Sequence, residues 1–176
     1  MIQQLKGALP TPIKDALKRK IYPPLLAEGE NVPEWHLQSW DDSWHRHNNR
    51  KWTVMVFYPG DDTPGCTAQL QDFQENYARL RELGAQVYGV NPAEAASHQA
   101  FADKFGFEFP ILTDRGGVVA RQFKAALQLP FKTVIVRTVY LVNPERKIRL
   151  ANRGAPPAAA IVRSIEALQQ ATRAGM

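Results

Sequence analysis

The chain has 176 residues, of which 44% are hydrophobic and 22% are charged, and its formal net charge is +5. A chain of this length can bury a hydrophobic core large enough to stabilise one compact domain without disulfide bonds. No apolar stretch approaches the roughly 18 residues of a membrane-spanning helix, and the start lacks the pattern of a secretory signal, so we expect a soluble cytoplasmic protein without a transmembrane segment. The positive charges are scattered after residue 50 without a nucleic-acid-binding motif, so no nucleic acid partner is expected.

The first predicted element is a short, basic, amphipathic helix over Thr11–Ile21, which Tyr22-Pro-Pro24 ends. Its apolar residues recur at spacing four, and basic residues lie between them. We expect this helix to pack on its own domain, the alternative being contact with anionic lipid or a partner. The predicted division is therefore an N-terminal helical extension, 1–24, followed by one domain, 25–176.

The sequence of the domain predicts alternating strands and helices. Residues 52–58 form an almost continuous apolar run, which predicts a strand buried on both faces. The further predicted strands are 85–90, 109–112, 138–142 and 147–151, the last two forming a hairpin; the predicted helices are 66–82, 92–105, 117–124 and 157–173. This order predicts an α/β fold with a central mixed sheet, mostly parallel with an antiparallel edge, and helices on both faces.

Histidines offer two alternatives that we do not favour. His45 and His47 form a His-x-His pair near two aspartates in a Trp-rich segment, but a third soft ligand for a transition metal is missing nearby, so we expect neither a metal nor a cofactor. His98 falls in the middle of a predicted helix without a nucleophile at a recognisable spacing, which predicts a surface residue rather than a Cys-His pair.

The only cysteine, Cys66, lies where the apolar run ends and a helix begins, in Pro59-Gly-Asp-Asp-Thr63-Pro-Gly-Cys66. The first turn of a helix presents unpaired N–H groups and the positive end of the macrodipole, which favour a thiolate over a thiol. Thr63 brings a hydroxyl to the same turn, and Pro59 restricts the backbone before it. A lone cysteine is often only a small buried hydrophobe. Here its neighbours favour a nucleophile.

Residues 57–67, Phe-Tyr-Pro-Gly-Asp-Asp-Thr-Pro-Gly-Cys-Thr, resemble the Pro-x-x-x-Thr-x-x-Cys motif of the peroxiredoxins, and within them the bacterioferritin comigratory protein (peroxiredoxin Q) branch. Residues 33–37, 109–114 and 137–143 resemble further segments of that family. The resemblance implies a thioredoxin-like fold and a thiol-dependent peroxidase that reduces hydrogen peroxide or organic hydroperoxides. It also implies that Cys66 is the attacking thiolate, that Thr63, Pro59 and Arg137 complete the catalytic set, and that the N–H groups of Gly65 and Cys66 bind the peroxide.

The chain departs from this branch at Gln71, where many relatives carry a resolving cysteine. A sulfenic acid on Cys66 must then be reduced by an external thiol such as thioredoxin, glutaredoxin or glutathione, as in one-cysteine peroxiredoxins. The sequence leaves the reductant, the preferred peroxide and the choice between monomer and homodimer open. The alternative function is a peroxide sensor or a non-catalytic thioredoxin-fold interaction module.

Overall fold

The computed structural model describes residues 10–176, without the side chains of residues 18–20. The strands are β1 (His36–Ser39), β2 (Trp44–Arg46), β3 (Trp52–Phe57), β4 (Ala85–Asn91), β5 (Ile111–Thr113), β6 (Ala126–Leu129), β7 (Lys132–Ile135), β8 (Thr138–Val142) and β9 (Ile148–Arg153). The helices are α1 (Thr11–Ile21), α2 (Pro64–Glu75), α3 (Tyr77–Glu82), α4 (Ala95–Phe105), α5 (Val118–Gln122) and α6 (Ala158–Ala174), with a 3₁₀ turn over Arg115–Gly117 before α5.

A seven-stranded sheet in the order β2-β1-β5-β4-β3-β8-β9 forms the centre of the domain, and β6 and β7 pair separately. The predicted α/β fold with a mixed sheet is therefore confirmed. The expectation of a mostly parallel sheet is wrong, because only the β3–β4 and β4–β5 pairings of this sheet are parallel. The chain reverses direction through short connections at β1–β2 and β8–β9, and such connections join antiparallel strands.

Side chains alternate along β3 and divide the core into two layers. Val54 and Val56 face a layer built with α2, α3, α4 and α6, whereas Met55 and Phe57 face a layer that includes α5 and Trp35. Each β3 side chain from residue 54 to 57 is fully buried. Because both faces are covered, β3 is held in place at the centre of the sheet, and its carboxyl end becomes a rigid base for the loop that follows.

The predicted single helix over 66–82 is divided at Asn76, which separates α2 from α3. The side-chain amide of Asn76 donates a hydrogen bond to the carbonyl of Asp72 at 2.9 Å. Asparagine side chains compete with the backbone in this way, so the helix ends and restarts. The β6–β7 hairpin was not predicted at all. Its strands hold four residues each, too few to show a clear alternation.

The helix α1 has the bounds that the sequence predicts, but its packing does not follow the expectation. Ile13, Leu17 and Ile21 are 47%, 44% and 60% exposed, so the apolar side of the helix does not lie against the domain. The segment that follows is held firmly, since Arg153 donates to the carbonyl of Pro23 and its guanidinium lies 5.8 Å from the ring centroid of Tyr22. Residues 1–9 of the predicted N-terminal extension lie outside the described residues.

Candidate active site

The loop after β3 delivers Cys66 to the first turn of α2. Thr63 is the N-cap residue, with the extended backbone of that position, and Pro64 is the first helical residue, where a missing N–H costs nothing. The N–H of Thr67 already bonds to the carbonyl of Thr63 at 2.8 Å, so the N–H groups of Gly65 and Cys66 precede the first intrahelical bond and point out of the helix end. The side chain of Cys66 is 1% exposed.

Arg137, directly before β8, brings a guanidinium to this sulfur. Its Nη2 lies 3.5 Å from Cys66 Sγ, and its Nη1 donates a 2.7 Å hydrogen bond to Oε1 of Gln69. A Cβ at Gly65 would lie 3.2 Å from the same Nη2, so the glycine leaves room for the cation beside the sulfur. The sequence predicted Cys66, Gly65 and Arg137 as parts of the same site. It gave no role to Gln69, which is buried one helical turn from Cys66 and orients the guanidinium.

Thr63 and Pro59 lie at the edge of the site. The hydroxyl of Thr63 donates to the carbonyl of Gly60 at 3.2 Å, so its proton is engaged and its oxygen presents lone pairs as an acceptor. Pro59 is exposed and lines a trough together with Arg137, Arg153 and Tyr22. This trough continues along Leu127, Val134, Ile135 and Val136 of the β6–β7 hairpin and the residue after it.

A buried carboxylate supports the loop between Pro59 and Cys66. Asp61 Oδ1 accepts hydrogen bonds from the hydroxyl of Tyr58 at 2.6 Å and the amide of Asn91 at 2.8 Å. Asp61 Oδ2 accepts from the hydroxyl of Ser97 and pairs with Nδ1 of His98, both at 2.7 Å. His98 is fully buried, so its prediction as a surface residue is wrong. The sequence signal that could have found the pair is an aspartate inside the motif facing a histidine on the apolar side of α4.

Burial raises the pKa of the Asp61 carboxyl, but the hydrogen bonds from His98, Tyr58 and Ser97 outweigh burial and hold that pKa below its ordinary value. Burial, the charge of Asp61 and the hydrogen bond to Asp61 raise the pKa of Tyr58 well above its ordinary value. Asp61 is therefore an anion and Tyr58 a neutral donor over the ordinary range of pH. Since a carboxylate only accepts, the proton between Asp61 and His98 belongs to Nδ1 of the histidine.

Arg115, Arg121 and the two histidines of the His-x-His pair lie away from Cys66 and have partners of their own. Arg115 pairs with Glu94 at 3.2 Å, and Arg121 binds the carbonyl of Gly116 and the side chains of Gln128 and Thr133. His45 Nε2 lies 3.0 Å from Ser39 Oγ, and His47 Nε2 lies 3.2 Å from the carbonyl of Pro144. Among the described residues, no group of three or more His, Cys, Asp or Glu side chains is arranged to hold a metal ion.

Residues 29–151 match the AhpC/TSA family. A curated peroxiredoxin Q of chloroplasts from Oryza sativa subsp. japonica is 32% identical over 151 residues, which cover 78% of this chain and 69% of the relative. The chloroplastic peroxiredoxin Q of Triticum aestivum is 39% identical over 90 residues, and the match spans 51% of this chain but only 41% of the wheat protein.

The solved structure of the Xanthomonas campestris bacterioferritin comigratory protein, described for its alkyl peroxide reduction activity, superposes with a TM-score of 0.67 at 29% identity. The match covers 76% of this chain and 90% of that protein. Between residues 10 and 176, none of the helices is both long and apolar enough to cross a membrane. Because the whole sequence contains one cysteine, the chain is of the one-cysteine type. It belongs to the AhpC/TSA family and, within it, to the peroxiredoxins of the peroxiredoxin Q branch.

Proposed function

We propose that this protein is a thiol-dependent peroxidase that reduces hydrogen peroxide or organic hydroperoxides through a sulfenic acid on Cys66. The observation that carries the proposal is the guanidinium of Arg137, 3.5 Å from the only sulfur able to attack. A cation beside the sulfur at a helix N-terminus favours the thiolate, which is the nucleophilic form. The activity ascribed to the Xanthomonas relative supports the same reaction class.

The chemistry assigned to each group follows from its position. The Cys66 thiolate attacks one peroxide oxygen; the S–O bond forms while the O–O bond breaks, and the leaving oxygen departs as an alkoxide or hydroxide that takes up a proton. The N–H groups of Gly65 and Cys66, with the Arg137 guanidinium, stabilise the negative charge that develops on it. Thr63 Oγ, whose own proton is donated to Gly60, accepts a hydrogen bond from the peroxide hydroxyl. Pro59 shields the site from water.

The second half of the cycle requires a thiol from outside the chain. Position 71 is Gln71, exposed on α2, and the sequence contains one cysteine in total. We therefore assign the reduction of the sulfenic acid to an external thiol, with thioredoxin, glutaredoxin and glutathione as the candidates. Every group that the mechanism uses belongs to one chain, so the proposal holds for a monomer or a homodimer. A reducing compartment such as the cytoplasm suits a lone reactive thiol; the rice and wheat relatives are named as chloroplastic.

Peroxide consumption by the purified protein with dithiothreitol tests this function. Many turnovers per protein, abolished in Cys66→Ser, are the expected result. One equivalent of peroxide consumed per chain would instead indicate a sensor whose oxidised cysteine is read by a partner. No consumption at all would indicate a non-catalytic interaction module and overturn the proposal.

A further inference from the structure

A polar cleft of about 620 Å³ opens beside the core layer that contains Trp35 and Tyr88. Its walls come from four parts of the chain: the residues directly before β1, the strand β2 with the loop that follows it, β4, and the turn between β8 and β9. A cleft of this volume has room for a small organic molecule and not only for a bare ion. The proposed peroxidase mechanism uses none of these residues.

The cleft is remote from the reactive sulfur. Strand β8 runs antiparallel to β3, so Thr138 pairs with Phe57 at the end of β3 and Val142 pairs with Thr53 near its start. The loop that carries Cys66 follows the first of these pairs, and the β8–β9 turn follows the second. The cleft also shares no described lining residue with the trough at the active site. A ligand bound in the cleft therefore does not contact Cys66.

Two almost fully buried aromatic residues present polar atoms at the cleft. Trp35 is 5% exposed and Tyr88 is 6% exposed, and their rings pack edge to face with centroids 5.3 Å apart. No described residue forms a hydrogen bond with the indole N–H of Trp35 or the hydroxyl of Tyr88, yet neither of these polar atoms is sealed from solvent. Such groups on buried rings usually have a hydrogen-bond partner. Both are therefore available to bind an oxygen atom of a ligand.

The charges around the cleft favour an anion. Arg46 and Arg146 line it, and Glu34 is the one carboxylate among its described lining residues. Burial lowers the pKa of His45 and the pKa of His47, so both imidazoles are neutral at pH 7. Two positive charges and one negative charge leave the cleft with a net charge of +1.

Arg146 is held in a position to bind such an anion. It donates to the carboxylate of Glu34 and, through Nη2, to the carbonyl of Val32 at 3.1 Å. A guanidinium has five N–H donors, so these two bonds leave others for a further acceptor. Arginine binds the oxygens of carboxylates and phosphates through neighbouring N–H groups. The anchored guanidinium is therefore preorganised for an oxyanion.

We propose that this cleft is a second binding site, which takes a small organic molecule that carries one carboxylate or phosphate group. The oxyanion accepts hydrogen bonds from the Tyr88 hydroxyl, the Trp35 indole N–H and the Arg146 guanidinium. The body of the ligand lies against the aromatic side chains of the cleft, which include the ring of His45, 5.4 Å from that of Tyr88. Binding there needs no chemistry at Cys66, so the site is independent of the peroxidase function.

The indole N–H of Trp35 gives a direct readout of binding. The chain has four tryptophans, so proton–nitrogen NMR spectra of the labelled full-length protein contain four indole signals, and Trp35→Phe identifies the one from the cleft. We expect this signal to shift and saturate on titration with phenylacetate and with phenyl phosphate, and the tighter of the two identifies the preferred oxyanion. Phenylacetamide has nearly the same shape without the charge, so it should bind at least about fivefold more weakly than phenylacetate.

Single substitutions test the groups assigned to the oxyanion. Tyr88→Phe removes only a hydroxyl and should weaken phenylacetate binding about tenfold or more, because a hydrogen bond to a charged group is lost. Tyr77→Phe is the matched control, since the Tyr77 hydroxyl accepts from Gln86 and neither residue lines the cleft. Arg146→Gln should also weaken binding about tenfold or more. Arg149→Gln, which removes a charge outside the cleft, should leave the affinity within about twofold.

Several outcomes would overturn the proposal. Equal affinities for phenylacetate and phenylacetamide would show that the cleft does not select an anion, and equal losses in Tyr88→Phe and Tyr77→Phe would show that the hydroxyl does not bind it. Inorganic phosphate that binds as tightly as phenyl phosphate would refute the assignment to an organic molecule. If the anions shift the backbone amide signals of Gly65 and Cys66 but not the Trp35 indole signal, they bind at the active site and the second site is refuted.

Discussion

At the scale of single residues, the proposed active site is built around the geometry of one guanidinium. Arg137 contacts both Cys66 Sγ and Gln69 Oε1, using two nitrogens of the same planar group. An ammonium group has no such fork, so it cannot keep the fixed bond to Gln69 and still address sulfur and peroxide together. A positive charge at position 137 without the planar fork is therefore not sufficient for the proposed chemistry.

Arg137→Lys should slow the oxidation of Cys66 by peroxide at least about tenfold, a smaller loss than the roughly hundredfold or more expected when an oriented donor is removed outright, because lysine keeps the positive charge. Stopped-flow measurement of a single turnover gives this rate without interference from the reductant. Arg121→Lys is the matched control, because Arg121 bonds to Gly116, Gln128 and Thr133 instead of Cys66. An unchanged rate in Arg137→Lys would transfer the role to another group.

Asp61→Asn should lower the free energy of unfolding at pH 7 by about 1–3 kcal/mol. The carboxylate now accepts hydrogen bonds at both oxygens, and in the variant the amide NH₂ would face some of these donors with a donor of its own. The folded state lowers the pKa of Asp61, so its stabilisation is present above the unfolded pKa of about 3.9 and is lost as the pH falls through the folded pKa. The difference between the two proteins should therefore shrink below about pH 4. Urea unfolding at several pH values measures it.

Asp62→Asn is the control for that experiment. Asp62 is exposed, its partner Lys104 is exposed too, and its φ of +52° is a conformation that asparagine tolerates well. We expect a change within about 0.5 kcal/mol. If both variants lose the same stability, the network around Asp61 does not hold the loop that carries Thr63 and Cys66.

At the scale of elements, α1 and α2 differ in what their apolar side chains contact. Leu17 of α1 is 44% exposed, whereas Leu70 of α2 is fully buried between the helix and the sheet. Leu17→Ala should change the free energy of unfolding by less than about 0.5 kcal/mol. Leu70→Ala should cost about 2–5 kcal/mol. Chemical denaturation of the two variants checks this, and a large loss in Leu17→Ala would mean that α1 packs on the domain after all.

The continuity of α2 determines whether a second sulfur at position 71 could resolve Cys66. Both positions lie inside Pro64–Glu75, and five residues along a helix separate side chains to different sides of it. We expect Gln71→Cys to form a 66–71 disulfide only when the first turns unwind, so disulfide formation and loss of amide protection in residues 66–71 should occur together. Mass spectrometry combined with hydrogen exchange measures both, and a disulfide within a fully protected helix would refute the expectation.

At the scale of the whole molecule, a chain with one sulfur nucleophile has no internal route from sulfenic acid back to thiol. Peroxide without reductant should therefore convert Cys66 first to sulfenic acid and then to sulfinic acid, without an intramolecular disulfide. Dithiothreitol should restore the first product and leave the second unchanged. Mass spectrometry of samples taken over time, with dimedone to trap the sulfenic acid, follows both steps, and full recovery from sulfinic acid would contradict the prediction.

The sequence by itself determined β3, β4, β5, β8 and β9 and the main helices between them, and it predicted the nucleophile and its motif, because β3, α2 and the Pro59–Cys66 loop depend on local apolar runs, proline positions and one helix start. It also determined the dependence on an external thiol, which follows from counting cysteines. Only the tertiary structure decided how residues distant in the chain meet: Gln69 against Arg137, and Asp61 against the buried His98. Both pairs depend on hydrogen bonds between residues 37 and 68 positions apart in the chain, and a pattern of local hydrophobicity carries no signal for such pairs. The exposure of α1 was likewise decided by the fold, since an amphipathic helix has the same sequence whether its apolar side meets the domain or solvent.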